Sequence, residues 1–199
     1  SAQMAGAVNA MKFEGGKVYA ENFDGVGLVR DLLHNLACPL KGRRVLILGA
    51  GGATRGALLP LLAEEPAELV IVNRTLAKAE TLATLAQKHQ TASVPVQGLG
   101  YAALQGQAFD VVLNATSSSL TAELPPLPAS VFAPGCLAYD LTYGKGLTPF
   151  LKLASESGVT RLADGVGMLA EQAAEAFAWW RGVRPDTTSV IQLLTIPLR

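Results

Sequence analysis

The chain has 199 residues, 50% of them hydrophobic and 16% charged, with 16 basic and 16 acidic side chains and a formal net charge of zero. With a mean hydropathy of +0.31, this composition fits a compact chain with one good core, or one domain plus part of another, and it excludes a disordered one. The balanced charge carries no footprint of nucleic acid or of an anionic membrane surface as partner.

The opening SAQMAGAVNA has no folding unit of its own and no signal-peptide pattern. Its terminal Ser reads as a cloning or cleavage remnant, and the chain as the C-terminal portion of a longer protein. GGKVYAENFD reads as an edge strand, and DGVGLVRDLLHNLA as a helix. From Arg43 the pattern becomes regular. RRVLILGAG is an apolar strand with a glycine-rich end, and ATRGALLPLLAEE is a helix that Pro60 should kink unless it lies near the first turn. AELVIVNRT is a second buried strand. TLAKAETLATLAQKH is a helix, with Thr75 placed to cap it and Leu76, Ala79, Leu82, Ala83 and Ala86 on one face. ASVPVQG, FDVVLNATS, CLAYDLTYG and VTRLADG read as four further strands, with TPFLKLASESG a helix before the last. GVGMLAEQAAEAFAWWRG is a long Ala-rich helix, and DTTSVIQLLTIPL another, capped by Asp186, Thr187 or Thr188. LPPLP at Leu124–Pro128 reads as a loop. Strand and helix alternate, and the strands are apolar without interruption. The expected fold class is therefore α/β, a doubly wound, Rossmann-type parallel sheet. The runs VLILGAGGA and LLPLLA fall well short of a membrane span.

The glycine turn GAGGATRG (Gly49–Gly56) lies between the first regular strand and its helix. Gly49 permits the tight turn and Gly51 lets backbone approach a pyrophosphate, which the helix N-terminus would hold by its N–H groups. The third position of the usual G-x-G-x-x-G is Thr54. An acid at the end of the second strand would bind both ribose hydroxyls of NAD and repel a 2′-phosphate. That strand instead ends in Asn73, Arg74 and Thr75, with Lys78 one helical turn on. A planar cation there can pair with phosphate and stack on adenine, so the expected cofactor is NADP. A solvated arginine at a strand end is the alternative.

Other chemistries find little support. His34 and His89 have no second ligand at metal spacing, and there is no CxxC. Neither a Ser-His-Asp arrangement nor a Tyr four residues before a Lys is present. Cys38 and Cys136 share no motif and read as buried thiols of a reducing cytoplasm, with a disulfide as the alternative. What remains are polar residues at element ends: Asn9, Asp24, Tyr143 and Gln172. Taken singly, Asp24 reads as an N-cap, Tyr143 as a loop anchor and Gln172 as a solvated helix residue.

The segments GAVN, NFDGVG, GAGGATRG, VNRT, NATSSS, YDLTYGKGLTPF and DGVGMLAEQA occur in this order. Together they resemble shikimate dehydrogenase over nearly the whole chain. The resemblance implies reduction of 3-dehydroshikimate to shikimate with NADPH, in aromatic amino-acid biosynthesis. It implies that Asn9, Asp24, Tyr143 and Gln172 contact substrate, Asp24 being also partner to the family's catalytic lysine. Gly49, Ala50, Gly51, Gly52 and Ala53 would hold the pyrophosphate, and Asn73, Arg74, Thr75 and Lys78 the 2′-phosphate. Ala115, Thr116, Ser117, Leu141, Gly165, Met168 and Leu169 would border the adenosine or nicotinamide. The implied organisation is a remnant of the substrate domain in 1–23, an NADP-binding domain in 24–163 with a linking helix in 24–40, and returning helices in 164–199. Two substitutions depart from the family pattern, Ser119 for a common Gly and Lys78 for a frequent Arg. The family's serine pair and lysine belong to a region before residue 1, so the expectation is a chain that binds NADP without turning over shikimate. No metal, nucleic acid or membrane is expected, and self-association through the exposed remnant is. A nucleotide-binding or sensing module without the lysine, and a quinate-preferring relative, are the other readings.

Overall fold

The computed structural model describes residues 2–116, 126–144 and 146–198. A short helix α1 (Ala2–Ala5) leads into an antiparallel hairpin of β1 (Ala10–Glu14) and β2 (Lys17–Glu21). The segment expected as an edge strand is thus half of a separate two-stranded ribbon. Its partner β1 shows no clean inside–outside alternation, so its sequence carries little strand signal. Helix α2 (Asp24–Arg30) follows and runs on as a π-helical turn over Asp31–Asn35.

Six strands then form one parallel sheet: β3 (Arg44–Leu48), β4 (Glu68–Val72), β5 (Val96–Leu99), β6 (Phe109–Asn114), β7 (Phe132–Asp140) and β8 (Arg161–Asp164). Their order is β5-β4-β3-β6-β7-β8, and every neighbouring pair is parallel. This is the doubly wound order whose reversal point, between β3 and β6, opens a crevice at the strands' C-terminal ends. The connecting helices are α3 (Gly52–Ala63), α4 (Leu76–His89) and α5 (Pro149–Glu156), and the chain closes with α6 (Val166–Arg181) and α7 (Thr188–Leu194).

The uninterrupted apolar strands are explained by two cores. Val45, Ile47, Leu69, Ile71, Val111 and Leu113 face α2, α3 and α4. Leu46, Leu48, Val70, Val72 and Val112 face α5 and its surroundings. Successive side chains point to opposite faces, so both faces of β3, β4 and β6 are buried.

Several local expectations are corrected. Asp24 is not the N-cap of α2: Phe23 holds that position, and Asp24 is the first helical residue. Thr75 holds the N-cap position of α4 but makes no side-chain capping bond. Pro60 lies in the interior of α3, past its first turn. The backbone it cannot serve is the carbonyl of Gly56. Helix α2 packs there, and a Cβ on Gly25 would lie 2.3 Å from that carbonyl oxygen. Of the expected loop at LPPLP, residues 124 and 125 lie outside the described residues.

Candidate functional site

In a parallel sheet all strand C-termini lie on one edge, so the topology gathers segments far apart in sequence. Gly49–Ala53 follow β3, Asn73–Thr75 follow β4, Ala115 and Thr116 follow β6, Leu141 follows β7, and Gly165 follows β8. Backbone bonds continue the ladder into these loops: Ala115 N donates to Leu48 O at 2.9 Å, Leu141 N to Asn114 O at 2.9 Å, and Asn73 N to Leu99 O at 3.1 Å. Ser117 and Ser119 lie outside the described residues.

The glycine turn is built for close approach. Gly49 has φ +101, and a Cβ there would sit 3.0 Å from Thr116 Cγ2. Thr54, fully buried, donates its hydroxyl to Gly49 O at 2.8 Å, so the threonine ties the turn that a third glycine would only accommodate. A Cβ at Gly51 or Gly52 would meet nothing within 4 Å, and α3 begins without a side-chain cap. Open space thus stands in front of uncapped helical N–H groups, which fits a pyrophosphate.

At the end of β4, Arg74 and Lys78 are both exposed. Asn73 Nδ2 donates to Thr75 O at 3.0 Å, which fixes the turn carrying Arg74. Tyr101, just beyond β5, was not singled out from sequence. Burial pushes its hydroxyl up, and the Arg74 charge acts in the opposite sense. The signal was an aromatic residue two positions after a strand end on the neighbouring strand.

The second cluster joins three distant segments. Asn9 Nδ2 donates to Asp24 Oδ1 at 2.8 Å and to Gln172 Oε1 at 3.4 Å. Phe23 N donates to Asn9 Oδ1 at 3.0 Å, which turns the Asn9 amine toward the acid. Gln172 Nε2 is engaged by Leu169 O at 3.1 Å, which turns its carbonyl toward Asn9. Buried Asn22 accepts from Asp24 N at 3.1 Å and sets the start of α2. The contact of Gly25 with Gly56 places this cluster one turn along α3 from the glycine turn. Among the described residues Asp24 has no lysine partner. Tyr143 belongs to another loop, after β7, and is 49% exposed.

Two acids shape that loop, and neither was singled out from sequence. Asp140, at the end of β7, accepts from Thr142 N at 3.0 Å and from the Thr148 hydroxyl at 2.6 Å. Asp164, its cross-strand neighbour on β8, accepts from Gly144 N at 3.3 Å and Val166 N at 3.2 Å. Burial pushes the Asp164 carboxyl up. Their position directly after apolar strands, in YDLTYG and ADGVG, was the available signal.

Among the described residues no group of His, Cys, Asp and Glu could hold a metal, and no helix is long and apolar enough to cross a membrane. Cys38 and Cys136 are both free and buried, which settles against the disulfide, and burial pushes the Cys136 thiol up to about 12.

Comparison with known proteins agrees with this geometry. The family model described as shikimate / quinate 5-dehydrogenase matches residues 31–122, and that of the shikimate 5′-dehydrogenase C-terminal domain matches 165–195. Shikimate dehydrogenase (NADP(+)) of Chromobacterium violaceum is 56% identical over 193 residues, covering 97% of this chain and 69% of that protein. The crystal structure of an Ael1 enzyme from Pseudomonas putida matches with a TM-score of 0.93 at 63% identity, covering 100% of this chain and 71% of the other. A shikimate dehydrogenase solved in complex with NADP+ matches with a TM-score of 0.79 at 31% identity, covering 98% and 69%. With the doubly wound sheet and the glycine turn, these likenesses establish that the chain belongs to the shikimate dehydrogenase family.

Proposed function

We propose that this chain is the NADP-binding portion of an enzyme that reduces 3-dehydroshikimate to shikimate in the cytoplasm. Residues 24–163 form the cofactor domain, and residues 1–23 and 164–199 belong to the substrate side. The observation that carries the reading is the meeting of Asn9, Asp24 and Gln172 one helical turn from the uncapped glycine turn.

The geometry supports the following roles. Gly49–Ala53 present backbone N–H groups to the pyrophosphate. Arg74 and Lys78 supply cations for a 2′-phosphate, and Asn73 and Thr75 supply neutral hydrogen bonds. Ala115, Thr116, Leu141, Gly165, Met168 and Leu169 border the rest of the dinucleotide, and Ser117 belongs with them by its place in the chain. When bound, the cofactor supplies the hydride. Asp24 Oδ1 is held by Asn9, which leaves its second oxygen to accept a substrate hydroxyl or face an ammonium. Asn9 and Gln172 orient one another and the acid, and Tyr143 approaches substrate from the cofactor side. Among the described residues no ammonium stands beside Asp24 to manage the proton, and the expected behaviour is nucleotide binding without turnover.

Calorimetric titration with NADP and NAD tests the reading, with NADP expected to bind more tightly. Tighter NAD, or binding of neither, overturns it. Adding shikimate to the NADP complex should yield no reduced nicotinamide, and its appearance would overturn the missing proton-transfer role. The exposed Met11, Phe13, Val18 and Tyr19 of the hairpin favour self-association, which sedimentation of the same sample reads.

A further inference from the structure

Tyr139 is fully buried on β7, and its hydroxyl donates to Asp31 Oδ2 at 2.7 Å. Asp31, in the π turn, is 3% exposed, and its other oxygen accepts from Asn35 Nδ2 at 2.9 Å. The Met168 backbone pulls the Tyr139 hydroxyl down against the burial that raises it. Met168 lies in the first turn of α6, where N–H groups have no acceptor within the helix. The same turn sits directly on the acid: a Cβ on Gly167 would lie 1.9 Å from Asp31 Oδ1. The Val166 amide, one residue earlier, goes to Asp164.

Such an arrangement is costly. Burial pushes the Asp31 carboxyl up, and it pushes the Tyr139 hydroxyl far up, so the tyrosine stays a donor. An apolar pair of similar volume would pack the position without that cost. What the polar pair adds is a fixed place for one helical turn.

We propose that Asp31 and Tyr139 are positioning residues that hold the Gly165–Leu169 turn for the nicotinamide half of the cofactor. The inference rests on the NADP reading above. In a doubly wound sheet the adenosine half lies over the β3–β5 side, where Arg74 stands, and the nicotinamide half over the β6–β8 side. The two halves can therefore be read separately.

The experiment is titration of wild type, Tyr139→Phe, Asp31→Ala and Asp31→Asn with NADP and with 2′-phospho-ADP-ribose, which lacks the nicotinamide. Tyr139→Phe keeps the ring packed and is expected to weaken NADP roughly tenfold, as for one lost hydrogen bond to a polar network. Its affinity for 2′-phospho-ADP-ribose should stay that of wild type, which also reports an intact fold. Asp31→Asn keeps an acceptor for Tyr139 and should lose less than Asp31→Ala. Equal losses on both ligands make the pair merely structural and overturn the proposal, as does no loss on either. Failure of wild type to bind 2′-phospho-ADP-ribose instead overturns the cofactor reading itself.

Discussion

Arg74 is exposed at the C-terminal end of β4, on a turn fixed by Asn73. An exposed guanidinium contributes little to folding, so its removal should cost almost no stability. Its effect on a 2′-phosphate would be larger, because a hydrogen bond to a charged group contributes about 1.5–3 kcal/mol. Arg74→Ala is therefore expected to weaken NADP by roughly tenfold to a hundredfold and to leave NAD nearly unchanged. Equal weakening of both nucleotides in titration would remove Arg74 from phosphate recognition. This residue was legible because its chemistry is local: a strand, a turn, and a cation where an acid is usual. Asp31 and Tyr139 were not legible. Their meaning lies in a contact between residues 108 apart in sequence, and each alone looks like an ordinary helix or strand residue.

At the scale of elements, the contact of α2 with α3 sets how close the Asn9–Asp24 cluster stands to the glycine turn. The two helices meet backbone on backbone where Gly25 lies over the Gly56 carbonyl. A Cβ on Gly25 would also lie 2.8 Å from Pro60 Cγ. Gly25→Ala must separate the helices, and overpacking of this kind costs about 3 kcal/mol. Gly100→Ala is the control, since its Cβ would meet nothing within 4 Å and its φ of −88 suits alanine. Urea unfolding should show a lower midpoint for the first and an unchanged or higher one for the second. Equal midpoints would mean that the helices are free to slide apart. The central strands β3, β4 and β6 were legible because burial on both faces writes continuous apolar runs. Strand β1 was not, since four of its five residues are exposed or half-exposed. Pro60 marked something real but ambiguous in sequence: only the packing of α2 shows why α3 keeps it.

Across the whole molecule, Glu171 pins the C-terminal segments to the rest. Its side chain is 3% exposed, yet it accepts from Arg30 at 3.2 Å, Asn35 at 3.0 Å and Thr187 at 2.7 Å, and pairs with Arg184 as well. These partners lie on α2, in the π turn, and in the segment leading to α7. Burial works against the Glu171 charge, but the bonds from Thr187, Asn35 and Arg184 outweigh it and hold the carboxyl below its ordinary value. The stability it contributes is then present above about 4.3, the unfolded value, and is lost as pH falls through the lower folded one. Asp31 and Asp164 act in the opposite sense. Their folded values are raised by burial, so the stability linked to their protons is lost as pH rises from about 3.9 through those values. Both trends occur in wild type, but Asp31 and Asp164 remain in Glu171→Gln and nearly cancel in the difference between the two proteins. Loss of the Glu171–Asp31 repulsion trims that difference without reversing it. Glu171→Gln leaves Arg30 and Arg184 with Glu175 as their one remaining shared anion among the described residues and is expected to cost about 1–3 kcal/mol near neutral pH. The cost should shrink as pH falls below about 4, where wild type loses the same charge. Thermal or urea unfolding across that range reads it, and a cost independent of pH would mean that Glu171 holds the segments by shape alone.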